Sequence, residues 1–360
     1  MSGVGRRARG AREHSISTRA LAQVDLGAIE RNCARLPKPL CAVVKGNAYG
    51  HGPIAGAALA GGATWLGVAT AGEARELRDQ GVDSPVLVMG AVTRDELRVA
   101  IEANADVVAW TDEVADAALR VHVKLDTGMG RLGTKDRDYA LRLAARPNVT
   151  GLMTHFATAD ERGDDLFPAQ LEAFRDFVDA VGRDDLVAHA ANSAAALRDP
   201  ASHFDLVRCG IAVYGMDPFH RDPAVHGLEP ALSLHSWVAA VRRFEPGDSA
   251  GYGRRWTAKE PCWVATIPVG YGDGWRRGLT NDCDVLIRGR RHPLVGTVSM
   301  DNVTVALGAD TDVEVGDPVV LLGSQGAERI LAEEVARRLG TINYEVTTGL
   351  LPRVRRAHLR

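Results

Sequence analysis

From Leu21 to about Gly215 the sequence alternates short β-branched runs with Ala-, Leu- and Glu-rich segments of helical spacing. That alternation is the mark of βα units around a parallel sheet, and it leaves few other folds open. Eight runs read as strands: "PLCAVVK", "WLGVAT", "PVLVMG", "ADVVAW", "VHVKLD", "VTGLMTHF", "LVAHAANS" and "LVRCG". Between them, stretches such as Arg75 to Gly81, Arg94 to Asn104, Asp112 to Arg120, Asp138 to Arg146 and Phe167 to Val181 carry apolar residues at intervals of three and four. The expected fold is α/β: an N-terminal TIM (β/α)8 barrel over residues 19–232.

After about Ser233 the texture changes. "SWVAAVRRF", "CWVATIPVG", "CDVLIRGR", "HPLVGTVS", "NVTVAL" and "DPVVLLG" are short strand-like runs separated by Gly, Pro and Asp, with one helical segment, "AEEVARRL", among them. A mainly antiparallel β domain over 233–360 is expected. The first eighteen residues are basic and Gly-rich with no apolar run behind them, which predicts a disordered tail and not a secretory signal.

Composition narrows the function classes. The 360 residues are 46% hydrophobic and 25% charged, and no stretch approaches the length of apolar chain a membrane span needs. Basic and acidic residues number 43 and 46, without a basic stripe interleaved with aromatics, so a nucleic-acid partner is not expected. Five cysteines without paired spacing predict neither a disulfide scaffold nor a zinc site, and fit a reducing compartment.

In a barrel, functional groups collect at the C-terminal ends of the strands. Here the first run ends on Lys45, the fifth carries Lys124 and Asp126 and leads to Arg131, the sixth ends on His155, the seventh on Asn192 and Ser193, and the eighth carries Arg208 before Gly210. Singly each has a structural explanation: a lysine snorkelling to water, a packed histidine, an arginine in an ion pair. Together they mark one polar rim. A Gly-containing loop after the last two strands is the usual phosphate cradle of a barrel, with Ser193 able to add a hydroxyl. A phosphate cradle facing Lys45 suggests pyridoxal 5'-phosphate joined to the amine as a Schiff base. A strand that ends on a lysine then delivers the amine to a partly desolvated site, where its pKa falls below about 10.4.

With these residues in view, the chain resembles the alanine racemase family of barrel-type pyridoxal-phosphate enzymes. The resemblance rests on "AVVKGNAYGHG", "HVKLDTGMGRLG", "THFATAD", "ANSAA", "VRCGIAVYG", "AGYGRRW", "PVGYGDGW", "GTVSMDNVTV" and "INYEV", in family order over nearly all of the chain beyond the tail. It implies an isomerase that interconverts L- and D-alanine by two bases in the cytoplasm, supplying D-alanine for peptidoglycan and the cell wall. Lys45 corresponds to the Schiff-base lysine and the base on the D-face, and Tyr252 to the base on the L-face, supplied by the second chain of a head-to-tail homodimer. Without the resemblance, Tyr252 reads equally as a packed loop tyrosine.

Tyr49, Asn192, Ser193, Gly210, Ile211 and Tyr344 correspond to the cofactor-binding set, Arg208 to the arginine facing the pyridine nitrogen, and His155 to the histidine beside the ring. Arg131, Met300 and Asp301 match the substrate-carboxylate site, Tyr271 an access-lining tyrosine that favours a small side chain, and Lys124 a position carbamylated in many members. No metal is implied. Departures are Gly46 where alanine is commoner, bulky basic residues after Tyr252, a modestly altered ending in "TTGLLPRVRR", and a shortened connection before Val121, where the helix after the fourth strand is expected to be truncated or absent. The alternatives on this scaffold are a broad-specificity or other amino-acid racemase, a decarboxylase or aldolase, and a non-catalytic pyridoxal-phosphate carrier.

Overall fold

The computed structural model describes residues 18–360. The expected tail lies outside the described residues except for Thr18, whose Oγ1 donates to the Ala20 carbonyl at 3.0 Å. The chain forms two compact units: one of residues 24–232, 340–349 and 358–360, the other of 18–23, 233–339 and 350–357. Strand β1 is Leu21–Asp25, whose last residue caps the helix Leu26–Arg35 by accepting from Ala28 N–H.

In the first unit all eight expected strands are present: β2 (Leu40–Val43), β3 (Trp65–Val68), β4 (Val86–Val88), β5 (Asp106–Ala109), β6 (Val121–Lys124), β7 (Val149–Met153), β8 (Val187–His189) and β9 (Val207–Cys209). They pair in parallel in the order β8-β7-β6-β5-β4-β3-β2-β9. The seam between β8 and β9 is drawn together by Asp205 N–H on Ala188 O at 3.0 Å and Arg208 N–H on Ala191 O at 2.9 Å. Strands β2, β4, β5 and β6 are buried along their whole length, as a sheet covered on both faces requires.

The helices start where the sequence offers caps. Thr70 with Glu73, and Thr93 with Glu96, form capping boxes at the helices Ala71–Asp79 and Arg94–Glu102. The helix after the fourth barrel strand is present but only six residues long, Asp112–Ala117. Asn148 Nδ2 closes its end by donating to Ala115 O at 2.8 Å and Ala118 O at 3.0 Å. Barrel pairing is intact there, with Val107, Val108 and Ala109 opposite Val121, His122 and Val123.

In the other unit the remaining strands are β10 (Leu232–Trp237), β11 (Ala240–Phe244), β12 (Cys262–Ile267), β13 (Asp284–Ile287), β14 (Arg290–Pro293), β15 (Val303–Gly308), β16 (Pro318–Gln325), β17 (Glu328–Ile330) and β18 (Arg355–Leu359). They form a seven-stranded sheet, β14-β13-β16-β10-β1-β18 with β17 on β16, and a three-stranded sheet, β11-β12-β15. Two expected strands change. "SWVAAVRRF" divides at Val238 and Ala239 between the two sheets, and "HPLVGTVS" leaves strand geometry after a bridge at Leu294, with Gly296 at φ +80°. The expected helix appears as Ala332–Leu339.

A single boundary after residue 232 does not describe the packing of 340–349, which lies in the barrel unit. Its helix Asn343–Thr348 is anchored there by Asn343 Nδ2 donating to Asp217 O at 2.9 Å. Within the barrel unit the helix Leu166–Val181 buries Phe167, Leu171, Phe174 and Phe177 on one face. Phe174→Ala is expected to cost about 3–5 kcal/mol of stability, measured by urea unfolding of the full chain.

Candidate functional site

Lys45 stands two residues beyond β2, at the head of a left-handed turn. Gly46, Asn47, Ala48 and Tyr49 have φ of +64°, +52°, +50° and +53°. Left-handed conformation costs a residue with a Cβ about 1–2 kcal/mol, so three such residues in succession need external support. Glu73 supplies part of it: one carboxylate oxygen accepts from Gly46 N–H at 2.7 Å, and the other from Ala69 N–H at 2.7 Å and Thr70 N–H at 3.2 Å. One side chain thus ties the ends of β2 and β3 together. Gly50 completes the turn against the helix Asn343–Thr348, where a Cβ would stand 2.0 Å from the Thr347 carbonyl oxygen. Burial, then the charge of Arg131, holds the Lys45 amine below its ordinary pKa, with Glu73 opposing.

A cavity of about 800 Å³ opens at this end of the barrel. It is lined by Lys45, Lys124, Arg131, His155 and Arg208 with Tyr49, Asn192, Ser193, Gly210 and Ile211, and by Tyr344, which was expected in the β domain; Asp126 is not in its lining. Asp126 shapes the loop that carries Arg131 by accepting from Gly128 N–H at 3.1 Å and Gly130 N–H at 3.0 Å. Ser193 Oγ accepts from Gly210 N–H at 3.0 Å and Ala212 N–H at 3.3 Å, while Asn192 caps the short helix that follows through Ala195 N–H. Tyr49 stacks on Tyr214 with ring centroids 4.9 Å apart and tilts against Tyr344 at 5.9 Å. Burial raises the pKa of both Tyr49 and Tyr344.

Arg208 is the most heavily bonded of these groups. Its Nη1 donates to His189 Nδ1 at 2.7 Å, its Nη2 donates to Thr154 O and Ala190 O at 2.9 Å each, and the same Nη2 shares a hydrogen with His155 Nδ1 at 3.1 Å. His155 is kept neutral by burial and by the neighbouring Arg208. Because a guanidinium only donates, His155 carries its proton on Nε2. Lys124, itself 3% exposed, is lowered to about 8 by burial and then by Arg208 and Arg131.

The residues expected from the β unit gather on its adjoining loops. Tyr252 is 75% exposed, and its carbonyl accepts from Thr297 Oγ1 at 2.6 Å. Tyr271 N–H donates to Ser299 O at 3.0 Å and Gly272 N–H to Met300 O at 2.8 Å, which places Tyr271 beside Met300 and Asp301. Buried Asp273 anchors this arrangement: Arg353 Nε meets its Oδ1 at 2.6 Å, Arg19 Nη2 its Oδ2 at 3.4 Å, and Arg353 Nη1 reaches Asp301 Oδ1 at 2.9 Å.

Glu73, Asp273 and Arg353 were not singled out in the sequence. Thr70 and Glu73 carry the capping-box spacing, so the pattern places Glu73 at a helix start, whereas Asp273 and Arg353 are 80 positions apart and no local pattern joins them.

Two family models match this chain: the alanine racemase N-terminal domain over residues 24–218 and the C-terminal domain over 231–358. The chain belongs to the alanine racemase family. It is 40% identical to an alanine racemase of Symbiobacterium thermophilum, over 93% of this chain and 96% of that protein. It is likewise 40% identical to alanine racemase 1 of Bacillus subtilis, over 94% and 92%. Among solved structures, alanine racemase from Streptomyces lavendulae superposes with a TM-score of 0.89 at 38% identity, covering 95% of this chain and 97% of the other. A family member with a neutral-prone lysine at position 124 has a definite pH signature.

Because the folded pKa of Lys124 lies near 8 and the unfolded value is 10.5, the unfolded chain binds the extra proton between them and stability rises with pH over that window. Below pH 8 the native state carries the full penalty of a buried charge. Lys124→Met is therefore expected to stabilise the ligand-free chain at pH 7 in bicarbonate-free buffer. Urea unfolding as a function of pH should show the gain shrinking above pH 8 and vanishing by about 10.5.

Proposed function

We propose that the chain interconverts L- and D-alanine, with pyridoxal 5'-phosphate held at the end of the barrel and Lys45 and Tyr252 as the two bases. The observation that carries this reading is the meeting of a desolvated lysine amine, a donor-only guanidinium and a glycine-lined polar cradle in one cavity.

The residues present suit that cofactor. A Cβ on Gly210 would stand 2.4 Å from the Tyr49 hydroxyl oxygen, so a larger residue there would push the Tyr49 ring from its place against Tyr214. Ser193 Oγ takes two backbone N–H donors and keeps its own hydrogen to give to a phosphate oxygen. Arg208 spends one Nη1 hydrogen and both on Nη2 within the protein, which leaves Nε–H and the other Nη1 hydrogen for the pyridine nitrogen. Lys45, Lys124, Arg131 and Arg208 together offset the charge of a phosphate.

When bound, pyridoxal phosphate supplies an imine that withdraws electrons from Cα and acidifies its hydrogen. Lys45 would hold the cofactor by its amine and, as a free amine, would take or return the Cα proton on one face. Tyr252 of the partner subunit does the same on the other face in a head-to-tail homodimer, which agrees with its exposure here. Arg208 stays cationic, since burial brings it only to about 10, and as a donor without a lone pair it would keep the pyridine nitrogen unprotonated. A ring held this way would be a weak electron sink, which would favour return of the proton over side reactions.

Arg131 pairs with the substrate carboxylate, aided by the Met300–Asp301 backbone of the partner chain, and Tyr271 and Tyr344 restrict access to a small side chain. Lys124, near pKa 8, has a substantial neutral fraction at physiological pH, the form that takes up carbon dioxide. As a carbamate it would pair with Arg131 instead of repelling it. A cytoplasmic supply of D-alanine for the cell wall is the biological role that follows.

The test is incubation with pyridoxal phosphate and L-alanine in deuterated water, following Cα deuterium and D-alanine together. The native chain should show exchange with inversion, and Lys45→Ala neither. Tyr252→Phe should lower turnover from L-alanine by about 10²-fold or more while cofactor absorbance is retained. Equal loss of cofactor binding and turnover in Tyr252→Phe would remove the tyrosine from the chemistry. Serine and lysine offered in the same assay separate an alanine racemase from a broader one.

A further inference from the structure

The interior of a β/α barrel is ordinarily filled with layers of branched aliphatic side chains. Here a line of polar groups crosses it. Asp106 opens β5, His122 lies in β6, His189 ends β8 and Arg208 lies in β9, and all four are 3% exposed or less. Arg208 Nη1 meets His189 Nδ1 at 2.7 Å, His189 Nε2 meets His122 Nδ1 at 2.6 Å, and His122 Nε2 meets Asp106 Oδ2 at 3.2 Å. Arg120 Nε pairs with the other Asp106 oxygen at 2.6 Å, and Thr150 Oγ1 lies 3.3 Å from Oδ2.

The two ends dictate every proton between them. A guanidinium has no lone pair to offer, so His189 Nδ1 must accept and its proton sits on Nε2. That proton points at His122 Nδ1, which must accept in turn, so the His122 proton sits on Nε2 and faces a carboxylate. A proton added to His122 Nδ1 would meet the His189 N–H head-on. Relieving that clash by moving the His189 proton to Nδ1 would set it against Arg208. Burial pushes the pKa of His189 well down, with the charge of Arg208 adding to it. Burial alone would raise Asp106, but hydrogen bonds from His122 and Arg120, with the charge of Arg120, outweigh it and keep the carboxyl below its usual pKa.

A second observation is independent of these bonds. On β7, a Cβ at Gly151 would stand 2.5 Å from His122 Nδ1. The backbone here leaves the space of a side chain to the His122 ring.

We propose that Asp106, His122 and His189 form a one-directional hydrogen-bond relay that positions Arg208, making Asp106 a positioning residue for the reaction from the opposite end of the barrel. The relay gives the guanidinium a neutral imidazole lone pair to rest on, and so fixes the donors that Arg208 turns toward the cavity. Its effect on catalysis rests on the function proposed above, whereas the proton placement does not.

The experiment is long-range 1H–15N correlation on the holoenzyme labelled with 15N-histidine, with His122→Asn and His189→Asn for assignment. Both rings are expected as neutral Nε2–H tautomers; an Nδ1–H or imidazolium form of either overturns the relay. Asp106→Ala should lower kcat about tenfold with KM unchanged and displace the visible band of the bound cofactor, and Asp106→Asn, whose amide oxygen still accepts from His122, should restore most of both. A folded Asp106→Ala protein with native kcat and band overturns the positioning role, and if that variant does not fold, the tautomers of the native protein decide. Should the chain bind no pyridoxal phosphate, the functional reading fails, and the tautomers of the ligand-free chain still test the relay.

Discussion

Parallel pairing of eight short strands is the constraint on which the barrel unit rests. In a parallel sheet every strand runs the same way, so the residues that follow β2, β6, β7, β8 and β9 arrive at one rim however far apart they are in sequence. That geometry turns five separate strand endings into one cavity. It also explains the burial of so much charge: Lys124 and Arg208 are fully enclosed because their strands are covered on both faces. Enclosure is what moves their proton affinities. Desolvation is the leading cause of the lowered pKa at Lys45, Lys124, His155 and Arg208 alike.

Holding such groups in place requires that each buried donor and acceptor be matched. Arg208 meets this with two carbonyls and two imidazoles, and its imidazole partners are in turn committed by their remaining nitrogens or by the cavity. Lys45 meets it differently. Its backbone is set by a left-handed turn whose strain is offset by Glu73 on one side and by the close approach of Gly50 to Thr347 on the other. In the β unit Asp273 and Arg353 do comparable work for the loops of Tyr271 and Met300. Glu73, His189 and Asp273 thus support site elements without having been named among the expected site residues.

How much of this was legible depends on the range of the interaction. The eight barrel strands and most helices were readable, since alternation of β-branched runs with helical spacing and capping pairs such as Thr93 with Glu96 are local signals. The polar rim was readable because strand endings follow from strand assignments. The bend of "SWVAAVRRF" between two sheets, the loss of strand geometry at Gly296, and strands β1, β17 and β18 were not readable, because short segments take their conformation from pairing partners distant in the chain. The helix Asn343–Thr348 likewise has no repeating apolar pattern, and what places it with the barrel is its packing on Gly50 and Asp217.

The amino-acid sequence by itself determined the order of elements, the residue types at the strand ends, and, through the series of motifs, the family to which the chain belongs. Periodicity, turn residues and motif spacing are properties of neighbouring positions, and a linear reading captures them. The tertiary structure decided what those residues become: that Lys124 loses much of its hold on a proton, that His155 and His189 each carry theirs on Nε2, and that Asp106 lies in hydrogen-bonded line with Arg208. The reason is physical. Desolvation and tautomer choice depend on which atoms lie within a few ångströms in space, and only the closed barrel sets those distances.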